Sequence, residues 1–383
     1  PYRASMKEDF LHTGEHPVNK YPDWFVDYGG KKYYDPGHPE AREYVLNAIM
    51  EVVRHYDLDA VHFDDYFYPY RVANEEFPDD STYMHYGKAF NDKEEWRRHN
   101  VDAFVEELHS RIRKERPHMI FGISPFGVWR NKDKDPMGSD TKAGQTNYDD
   151  LYADVLKWLR EGWIDYIAPQ LYWHIGFAPA DYKILLDWWS KHTYGRHLYI
   201  GQGIYRLGQK GWEDHGEINR QVDLNRSKDK VQGSIYFSTK VFAKNKDSVQ
   251  QRMKTIYPSK ALIPVMPWLD DNPPAAPVWH ECTGNQQYGV ELRWQDASPG
   301  DAHYYVIYRF EAEEEIDIHD PSKILATVPR SSYRIQSYTD KTTKPRTRYR
   351  YMITAVDRKH NESQASAEKR IRTRWPLKPV KKW

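Results

Sequence analysis

Two adjacent carboxylates, Asp64 and Asp65, are the residues of this sequence best suited to catalysis. They follow a short apolar run of β type and precede a segment with four aromatic residues in five positions. Neighbouring side chains of a strand point to opposite faces, so only one of the two carboxylates can face a cleft. If Val61 and Phe63 pack against helices, His62 and Asp64 face inward. Asp64 is then suited to act as a nucleophile or as an electrostatic stabiliser of an oxocarbenium-like transition state.

That chemistry normally requires a second carboxyl group, about 5–5.5 Å away for a retaining reaction and about 6.5–9.5 Å away for an inverting one. The ends of the other apolar runs are not acidic, and the nearest candidates, Asp140, Asp149 and Asp150, lie on a long loop. The last two immediately precede an expected helix at 151–156, where capping explains them equally well. The general acid is therefore Asp65, a loop aspartate or a residue outside this chain.

Other interpretations of the aspartate segment are structural. Both carboxylates are also suited to capping the following loop or to pairing with Arg3 or Arg130. His62 and Asp64 form an H-x-D pair, but no third ligand at a suitable spacing accompanies them, which is more typical of an interior histidine than of a metal site. The glycines of 201–203 lack the third glycine of a dinucleotide fingerprint. The sequence therefore predicts no metal and no cofactor.

Aromatic residues make up 15% of the chain, including 14 Trp and 30 Tyr. Aromatic faces with a polar edge suit sugar rings, although they also form ordinary cores. The residues expected to contact a substrate are Trp129, Tyr172, Trp173 and Tyr205 as stacking platforms, Arg130, Gln170, Gln202 and Lys240 as hydrogen-bonding groups, and Arg3, His62 and Tyr66 beside the aspartates.

An alternation of strand-like and helical segments up to residue 262 must position these side chains. The strand-like runs are 59–63, 119–123, 166–168, 198–200 and 234–237. The segment 92–115 places apolar residues on one helical face, which predicts a helix. Such alternation is typical of a parallel sheet. Because polar residues follow all five runs, a (β/α) barrel is favoured over a doubly wound sheet, which concentrates them at one switch point.

Charge and length exclude several classes of protein. The chain has 383 residues, with 56 basic and 56 acidic side chains and a formal net charge of zero. This balance argues against a nucleic-acid partner held by phosphate neutralisation. No apolar run approaches the roughly 18 residues of a membrane helix. The single cysteine, Cys282, excludes an intrachain disulfide. The oligomeric state is left open.

The pattern changes after residue 262. Residues 263–276 are proline-rich and are predicted to form a linker. In 277–374, alternating residues such as Val290, Leu292 and Trp294 predict a small β-sandwich. The last residues, 375–383, are expected to form a loosely ordered tail. Residues 1–262 would form the barrel domain.

Several runs together resemble the bacterial glycosyl-hydrolase-like 10 family and cover about residues 1–260 in the family's order. The resemblance implies a TIM-type barrel, secreted, periplasmic or cell-surface proteins that are often lipoproteins, and some members that act on peptidoglycan glycan strands. It also places the aspartate that ends the family's fourth strand at Asp64, with Asp65 beside it. The matching runs are Pro1-Tyr2-Arg3-Ala4, Asp35-Pro36-Gly37-His38-Pro39-Glu40-Ala41-Arg42, His62-Phe63-Asp64-Asp65-Tyr66-Phe67-Tyr68-Pro69, Ile123-Ser124-Pro125-Phe126-Gly127, Ala168-Pro169-Gln170-Leu171-Tyr172-Trp173 and Gly233-Ser234-Ile235-Tyr236-Phe237-Ser238.

The second domain resembles a fibronectin type III module, with Trp294 as the buried strand-B tryptophan and Tyr349 as the tyrosine-corner residue. In the first family the run at 1–4 ends the third barrel strand. The resemblance therefore implies that this chain holds only about the last five β/α units of a (β/α)8 barrel. The earlier strands are expected to be truncated or to lie in a separate segment.

These observations predict a glycoside hydrolase that cleaves a bacterial polysaccharide, with cell-wall glycan as the first candidate and Asp64 at its centre. Two alternatives stay open. One is a non-catalytic carbohydrate-binding protein on a barrel scaffold, because the other strand ends carry no carboxylate. The other is a surface scaffold or adhesion protein that acts through its fibronectin-like module.

Overall fold

Strands and helices alternate through the first part of the chain in the computed structural model, as the sequence pattern predicts. The strands are β1 (Phe25–Tyr28), β2 (Lys31–Tyr34), β3 (Ala60–Phe63), β4 (Ile120–Ile123), β5 (Tyr166–Ile167), β6 (Gln170–Leu171), β7 (His197–Gln202) and β8 (Val231–Tyr236). The helices are α1 (Pro17–Lys20), α2 (Pro39–His55), α3 (Asp80–Tyr86), α4 (Lys93–Glu115), α5 (Asn147–Asp150), α6 (Val155–Arg160), α7 (Tyr182–Lys191), α8 (Glu217–Arg226), α9 (Thr239–Ala243) and α10 (Val249–Ile256). Short 3₁₀ turns lie at Pro22–Trp24, Ile204–Arg206 and Lys246–Ser248.

The structure describes residues 2–3, 14–214, 216–285, 289–297 and 300–373. The chain divides into two units, residues 1–250 and 251–383. The domain limits expected from the sequence, 1–262, 263–276 and 277–374, stay predictions. The expected tail at 375–383 lies outside the described residues, as do Pro1 and Ala4 of the first family motif.

Strands β3 to β8 form one parallel sheet that follows the chain order when β5 and β6 are taken together as one strand position. Strand β3 pairs with β4, β4 with β5, β5 and β6 with β7, and β7 with β8, all in parallel. Strands β5 and β6 are two halves of one interrupted strand, because Pro169 between them has no backbone N–H for the ladder. Strands β1 and β2 form a separate antiparallel pair.

The sequential strand order differs from that of a doubly wound sheet, in which the order reverses at a switch point. It is the order found within a barrel. Among the described residues, β3 and β8 are not paired with each other. The structure therefore shows the expected parallel α/β arrangement, and it does not show a closed barrel.

One face of the parallel sheet packs against helices. Helix α4 begins where Asp92 Oδ1 accepts a hydrogen bond from Glu95 N at 2.7 Å, which satisfies one of its unpaired amide groups. Each large apolar side chain that is fully buried contributes roughly 1.5–3 kcal/mol, so this face is a major source of stability. The apolar positions of α4 foreseen from the sequence are all fully buried, namely Val101, Phe104, Val105, Leu108 and Ile112.

None of the helices in the described part of the chain is both long and apolar enough to cross a bilayer.

The expected helix at 151–156 is wrong in its limits. Helix α5 ends at Asp150, and α6 starts only at Val155, after Asp154 has capped it by accepting from Lys157 N. Tyr152 between them has a φ of 52°, a left-handed conformation that interrupts a helix of L-residues.

A buried ion pair fixes the long loop between β3 and α3. The guanidinium of Arg97 on α4 donates from Nη2 to Asp79 Oδ1 at 2.6 Å and from Nε to Asp79 Oδ2 at 2.9 Å. Its remaining hydrogen bonds go to Phe77 O at 3.0 Å and to the hydroxyl of Tyr152 at 2.8 Å. Arg97 and Asp79 are 3% and 0% exposed, so burial makes this pairing important for both charges. Lys93 Nζ adds a second positive charge 2.8 Å from Asp79 Oδ1. The loop that carries Asp64 and Asp65 at its start is thereby anchored at its end.

The second unit is an all-β structure of two antiparallel sheets. Its strands are β9 (Val278–Trp279), β10 (Thr283–Asn285), β11 (Gly289–Gln295), β12 (Tyr304–Glu311), β13 (Ile324–Pro329), β14 (Ile335–Asp340), β15 (Arg348–Val356) and β16 (Lys369–Arg372), with a 3₁₀ turn at Pro321–Lys323. Strands β9, β10 and β14 join β11 in one sheet, and the other sheet has the order β13-β12-β15-β16.

The side chains foreseen as the core of the sandwich occupy it. Trp294 is fully buried and lies 5.3 Å from Tyr305 of the other sheet, ring centre to ring centre. The hydroxyl of Tyr349 accepts a hydrogen bond from the backbone N of Lys344 at 2.9 Å. A tyrosine bonded to a backbone group a few residues upstream is the tyrosine corner of such sandwiches. This second unit therefore resembles a fibronectin type III module in its sheets and in this corner.

Replacing Arg97 with methionine should destabilise the first unit by about 1–3 kcal/mol, because the buried Asp79 would lose both hydrogen bonds from the guanidinium and keep only Lys93 as a counter-charge. Urea unfolding followed by tryptophan fluorescence measures the loss. The matched control is Arg54→Met, which breaks an exposed ion pair with Glu115 and should cost less than about 1 kcal/mol. Equal losses in the two variants would contradict the assigned role of Arg97.

Candidate active site

The carboxyl end of β3 places Asp64 at an open edge of the sheet. Asp64 is exposed, and its Oδ1 accepts hydrogen bonds from Gln170 Nε2 at 2.7 Å and from its neighbour's backbone N at 2.9 Å. The same Nε2 of Gln170 donates to Ser124 O, which follows β4, at 3.0 Å. Gln170 thus connects the ends of three strands and fixes one oxygen of the Asp64 carboxylate.

Asp65 has a contrasting environment, being 2% exposed. Burial raises the pKa of Asp65 to about 7, and the adjacent negative charge of Asp64 adds to the rise, whereas a hydrogen bond donated by the Tyr70 hydroxyl to Oδ2 opposes it. A carboxyl group with such a pKa still holds its proton in a large fraction of molecules at neutral pH. Burial therefore distinguishes Asp65 from its exposed neighbour Asp64.

His62 lies two residues before Asp64, so the two side chains are on the same face of the sheet. Its Nδ1 is 2.7 Å from the hydroxyl of Tyr166, and the two rings are stacked with centres 5.8 Å apart. Gly122 makes room for this pair, since a Cβ there would lie 2.1 Å from the Tyr166 ring. Burial lowers the pKa of His62 more than the charge of Asp64 raises it, so the ring is a neutral hydrogen-bonding group at pH 7. In the described ranges no three His, Cys, Asp or Glu side chains are arranged to hold a metal.

Three aromatic rings cluster at the ends of β6, β7 and β8. The Tyr172 ring is stacked on Phe237 with centres 5.9 Å apart, and Tyr205 meets both rings edge to face. Phe237 is 52% exposed, which leaves much of its ring open to a ligand. Burial and the negative charges of Asp64 and Asp65 raise the pKa of Tyr172, so this hydroxyl keeps its proton and lies near the aspartate pair.

Arg3 and Tyr66 belong to the same neighbourhood. Tyr66 is 48% exposed, and its ring centre lies 5.2 Å from that of Tyr70. Burial and the charges of Asp65 and Asp64 raise the pKa of Tyr66, while the positive charge of Arg3 acts in the opposite direction. Neither Arg3 nor Arg130 has an ion pair with Asp64 or Asp65 in the part of the chain described here. The structural interpretation that required such pairs is therefore not supported.

Trp129 and Arg130 do not lie at this open edge as free binding groups. Trp129 is 5% exposed, and its ring is stacked on Trp188 at 5.9 Å, so its faces belong to the core. Arg130 is paired with Asp149 at 2.8 Å and with Asp135 at 3.1 Å. A sugar-stacking role for Trp129 is inconsistent with this burial.

The remaining expected binding residues are spread over several environments. Gln202 is fully buried and donates to the hydroxyl of Tyr182 at 2.7 Å. Trp173 is half-buried with its ring edge-on to Phe126 at 5.4 Å. Lys240 is exposed on α9. Of these residues, Gln202 is the one whose burial conflicts with direct substrate contact.

The loop aspartates considered as the general acid have structural partners. Asp149 is held by Arg130, as described above, and Asp150 pairs with Arg71 at 3.1 Å and accepts from Thr146 N at 2.7 Å. Thr146 caps α5, so both aspartates lie in its first turn, where negative charge is favourable. Asp140 is exposed on its loop.

Two functional candidates escaped the sequence analysis, Tyr70 and Phe237. Tyr70 lies in the aromatic run after the aspartates, but only the fold shows that its hydroxyl reaches Asp65. Phe237 was read as the end of an apolar strand, whereas β8 ends at Tyr236 and Phe237 is the first residue beyond it.

Paired carboxyl groups are the catalytic groups of most glycosidases, and exposed aromatic rings with polar edges suit sugar rings. The family model for glycosyl hydrolase-like 10 proteins matches residues 4–215, which is more than half of the chain. The chain therefore belongs to the glycosyl hydrolase-like 10 family, and the resemblance noted in its sequence is confirmed.

Curated relatives agree with this assignment. The glycosyl hydrolase YngK of Bacillus subtilis (strain 168) is 45% identical over 379 residues, which are 96% of this chain and 73% of that protein. The glycosyl hydrolase DigH of Escherichia coli (strain K12) is 38% identical over 272 residues, which are 66% of this chain and 61% of that protein. A glycoside hydrolase-type function is thus supported by the family and by the names of these relatives.

Solved structures are matched over short stretches only. A β-1,2-glucanase from Parabacteroides distasonis is 25% identical, with 28% of this chain and 14% of that chain covered and a TM-score of 0.22. A Fn3-like protein from Clostridium thermocellum is 28% identical, with 26% of this chain and 92% of that chain covered and a TM-score of 0.19. These TM-scores are too low to assign a fold.

Replacing Asp65 with asparagine should flatten the dependence of stability on pH. The pKa of Asp65 is about 7 in the folded chain and about 3.9 in an unfolded one, so the folded state holds the extra proton. The resulting stabilisation is full below about pH 4 and is lost as the pH rises through 7. Urea unfolding at pH 5 and pH 8 should show a larger loss for the wild type than for Asp65→Asn.

The control for this comparison is Asp229→Asn, at an exposed position before β8, which should keep the pH dependence of the wild type. An unchanged dependence in Asp65→Asn would show that Asp65 does not titrate near neutral pH.

Proposed function

We propose that this protein is a glycoside hydrolase that cleaves a bacterial polysaccharide, with the glycan strands of peptidoglycan as the first candidate substrate. The observation that carries the proposal is the split environment of the aspartate pair, in which Asp64 is exposed and Asp65 is buried with its pKa raised to about 7. Membership of the glycosyl hydrolase-like 10 family supports the reaction type. The names of the relatives leave the sugar and the linkage open.

In the proposed reaction, Asp64 acts at the anomeric carbon. Breaking the glycosidic bond leaves positive charge on the sugar ring, which a carboxylate at this position stabilises or captures. Gln170 fixes one carboxylate oxygen of Asp64, so the other oxygen is available to the sugar. A preoriented charge of this kind needs little reorganisation during the reaction.

The leaving oxygen needs a proton, and Asp65 is the residue that holds one. Environments that drive the pKa values of two neighbouring carboxyls apart are a common basis for acid and base roles. We propose that the Asp65 carboxyl gives this proton to the leaving oxygen while Asp64 stays ionised at the anomeric carbon, with the two groups titrating as one unit. Tyr70 keeps the Asp65 carboxyl oriented.

Tyr172, Tyr205 and Phe237, which we call the aromatic trio, supply the proposed sugar platform. Rings with exposed faces bind the CH faces of sugars, and polar hydroxyls at their edges bind the sugar hydroxyls. Tyr172 is the member of the trio that lies near the carboxylates, because the charges of both aspartates raise the pKa of its hydroxyl.

The proposed architecture is a TIM-type barrel to which the parallel sheet contributes about five β/α units. Its support is the sequential strand order, with helices on one face and functional groups at the carboxyl ends. We also propose that the protein acts outside the cytoplasm, in the periplasm or at the cell surface, where a cell-wall substrate is present.

A non-catalytic carbohydrate-binding protein is the second candidate. Two observations favour it. The other strand ends carry no carboxylate, and Asp149 and Asp150 form ion pairs with arginines. In the first candidate, the aspartate pair is needed to cleave the polysaccharide. In the second candidate, the protein binds the polysaccharide without cleaving it, and the pair is needed for neither property.

Asp64→Asn should lower the rate of glycan-strand cleavage on the order of 10²- to 10⁴-fold while polysaccharide binding is retained. Release of reducing ends from purified glycan strands and a pull-down with insoluble cell wall measure the two properties. Asp229→Asn, at the opposite end of the sheet, is the matched control and should cleave normally. Wild-type cleavage by Asp64→Asn would remove Asp64 from the mechanism, and binding without any cleavage by the wild type would favour the second candidate.

Phe237→Ala should raise the KM for the polysaccharide roughly two- to tenfold, since one aromatic platform is worth about 0.5–1.5 kcal/mol. The turnover number should change less, because Phe237 does not touch the aspartates. Tyr56→Ala, which removes a 62% exposed ring after α2, serves as the control for loss of a surface aromatic. A KM equal to that of the wild type would exclude the aromatic trio as a sugar platform.

A further inference from the structure

Four arginines form two directly opposed pairs on neighbouring strands of the second unit. In the antiparallel register of β15 and β16, Arg348 is opposite Arg372 and Arg350 is opposite Arg370. Side chains at alternate positions of a strand share one face, so all four guanidinium groups emerge on the same side of the sheet. We call these four residues the arginine patch.

The positive charge of the arginine patch is only partly compensated. Arg370 Nε donates to Glu368 at 2.5 Å, and the same carboxylate lies 3.9 Å from Arg350. Arg348 and Arg372 are exposed. In the part of the chain that the structure describes, neither of these two arginines has an acidic partner. The charge of Glu313 also acts on Arg370, and Arg350 donates to the backbone carbonyl of Glu314. Two carboxylates therefore face four guanidinium groups.

This arrangement opposes folding. Like charges directly opposite each other across two strands destabilise a sheet. The side chains of such a pair start about 5 Å apart, which is less than the Debye length of roughly 8 Å at physiological ionic strength. Salt therefore screens the repulsion incompletely, and an anion bound between the strands would relieve it.

The patch also has the shape of a binding site. A cavity of about 440 Å³ is lined by the four arginines, with Ala312 and Glu313 at its border. Guanidinium groups bind carboxylates through two parallel hydrogen bonds. Four of them on two strands suit a polymer that repeats its negative charge better than a single small anion.

We propose that the arginine patch binds an acidic polysaccharide, meaning a strand of sugars that carry carboxylate groups. The choice of a polysaccharide as the ligand rests on the proposed function. A second contact with the same kind of strand would keep a glycoside hydrolase on its substrate. The charge of the ligand rests on the patch alone. The role assigned to the second unit is thus to hold an anionic glycan.

Affinity electrophoresis of the full chain in gels that contain polygalacturonate, a carboxylated polysaccharide, tests the proposal. The wild type should be retarded by polygalacturonate and not by neutral dextran. Arg348→Gln combined with Arg372→Gln should weaken retardation roughly tenfold or more, since two charged hydrogen-bonding groups are lost. Arg348→Lys combined with Arg372→Lys keeps the positive charges but loses the paired hydrogen bonds of the guanidinium groups. Its retardation should lie between that of the wild type and that of the glutamine variant.

Lys183→Gln combined with Lys191→Gln is the control for net charge, because it removes two exposed charges from α7. This control should be retarded like the wild type. The glutamine variant of the patch should be at least as heat-stable as the wild type, because a like-charge pair has been removed, so weaker retardation would not reflect unfolding. Asp64→Asn should be retarded normally, which separates this test from the test of catalysis.

Three outcomes would overturn the proposal. The first is equal retardation of the wild type and the glutamine variant in polygalacturonate. The second is retardation by polyphosphate but not by polygalacturonate, which would assign the patch to a different polymer. The third is concentration-dependent aggregation of the glutamine variant with unchanged polysaccharide binding, because the arginines would then protect the exposed edge of β16 from pairing with other chains.

Discussion

Parallel pairing of the strands is the constraint on which the rest of the first unit depends. All strands of a parallel sheet end at the same edge, so residues far apart in the chain meet there. Gln170 illustrates the consequence, because one amide group binds both the carboxylate of Asp64 after β3 and the carbonyl of Ser124 after β4. Without the parallel register, these groups would have no reason to converge.

The two faces of the same sheet carry different kinds of side chains. The helix-covered face consists of apolar side chains, and the opposite face carries His62, Tyr166 and Asp64. The change at the edge from exposed Asp64 to buried Asp65 raises the pKa of the second carboxyl group to about 7. The loop that follows is anchored by the buried pair of Arg97 and Asp79, so stability and the geometry of the aspartate pair depend on one another.

The second unit relies on a different kind of order. Its two antiparallel sheets bury one face each around Trp294, and the Tyr349 hydroxyl bonds to the backbone of Lys344 at the corner. The outer face is free to carry charge. The opposed arginines of β15 and β16 have no role in that core, which is why their cost to the sheet points to a ligand.

Local patterns of the sequence determined the helix at 93–115, the strand-like runs, the alternating strands of the sandwich and the prominence of Asp64 and Asp65, because periodicity depends only on neighbouring residues. The family resemblance rested on such local runs as well. Tertiary structure alone decided that Trp129 belongs to the core and that Arg130 pairs with Asp149. It also decided that the helix after Asp150 is interrupted at Tyr152, that the Tyr70 hydroxyl reaches Asp65 and that Phe237 packs against Tyr172 and Tyr205. These are contacts between residues distant in the chain or balances of burial and charge, and no spacing within a sequence encodes them.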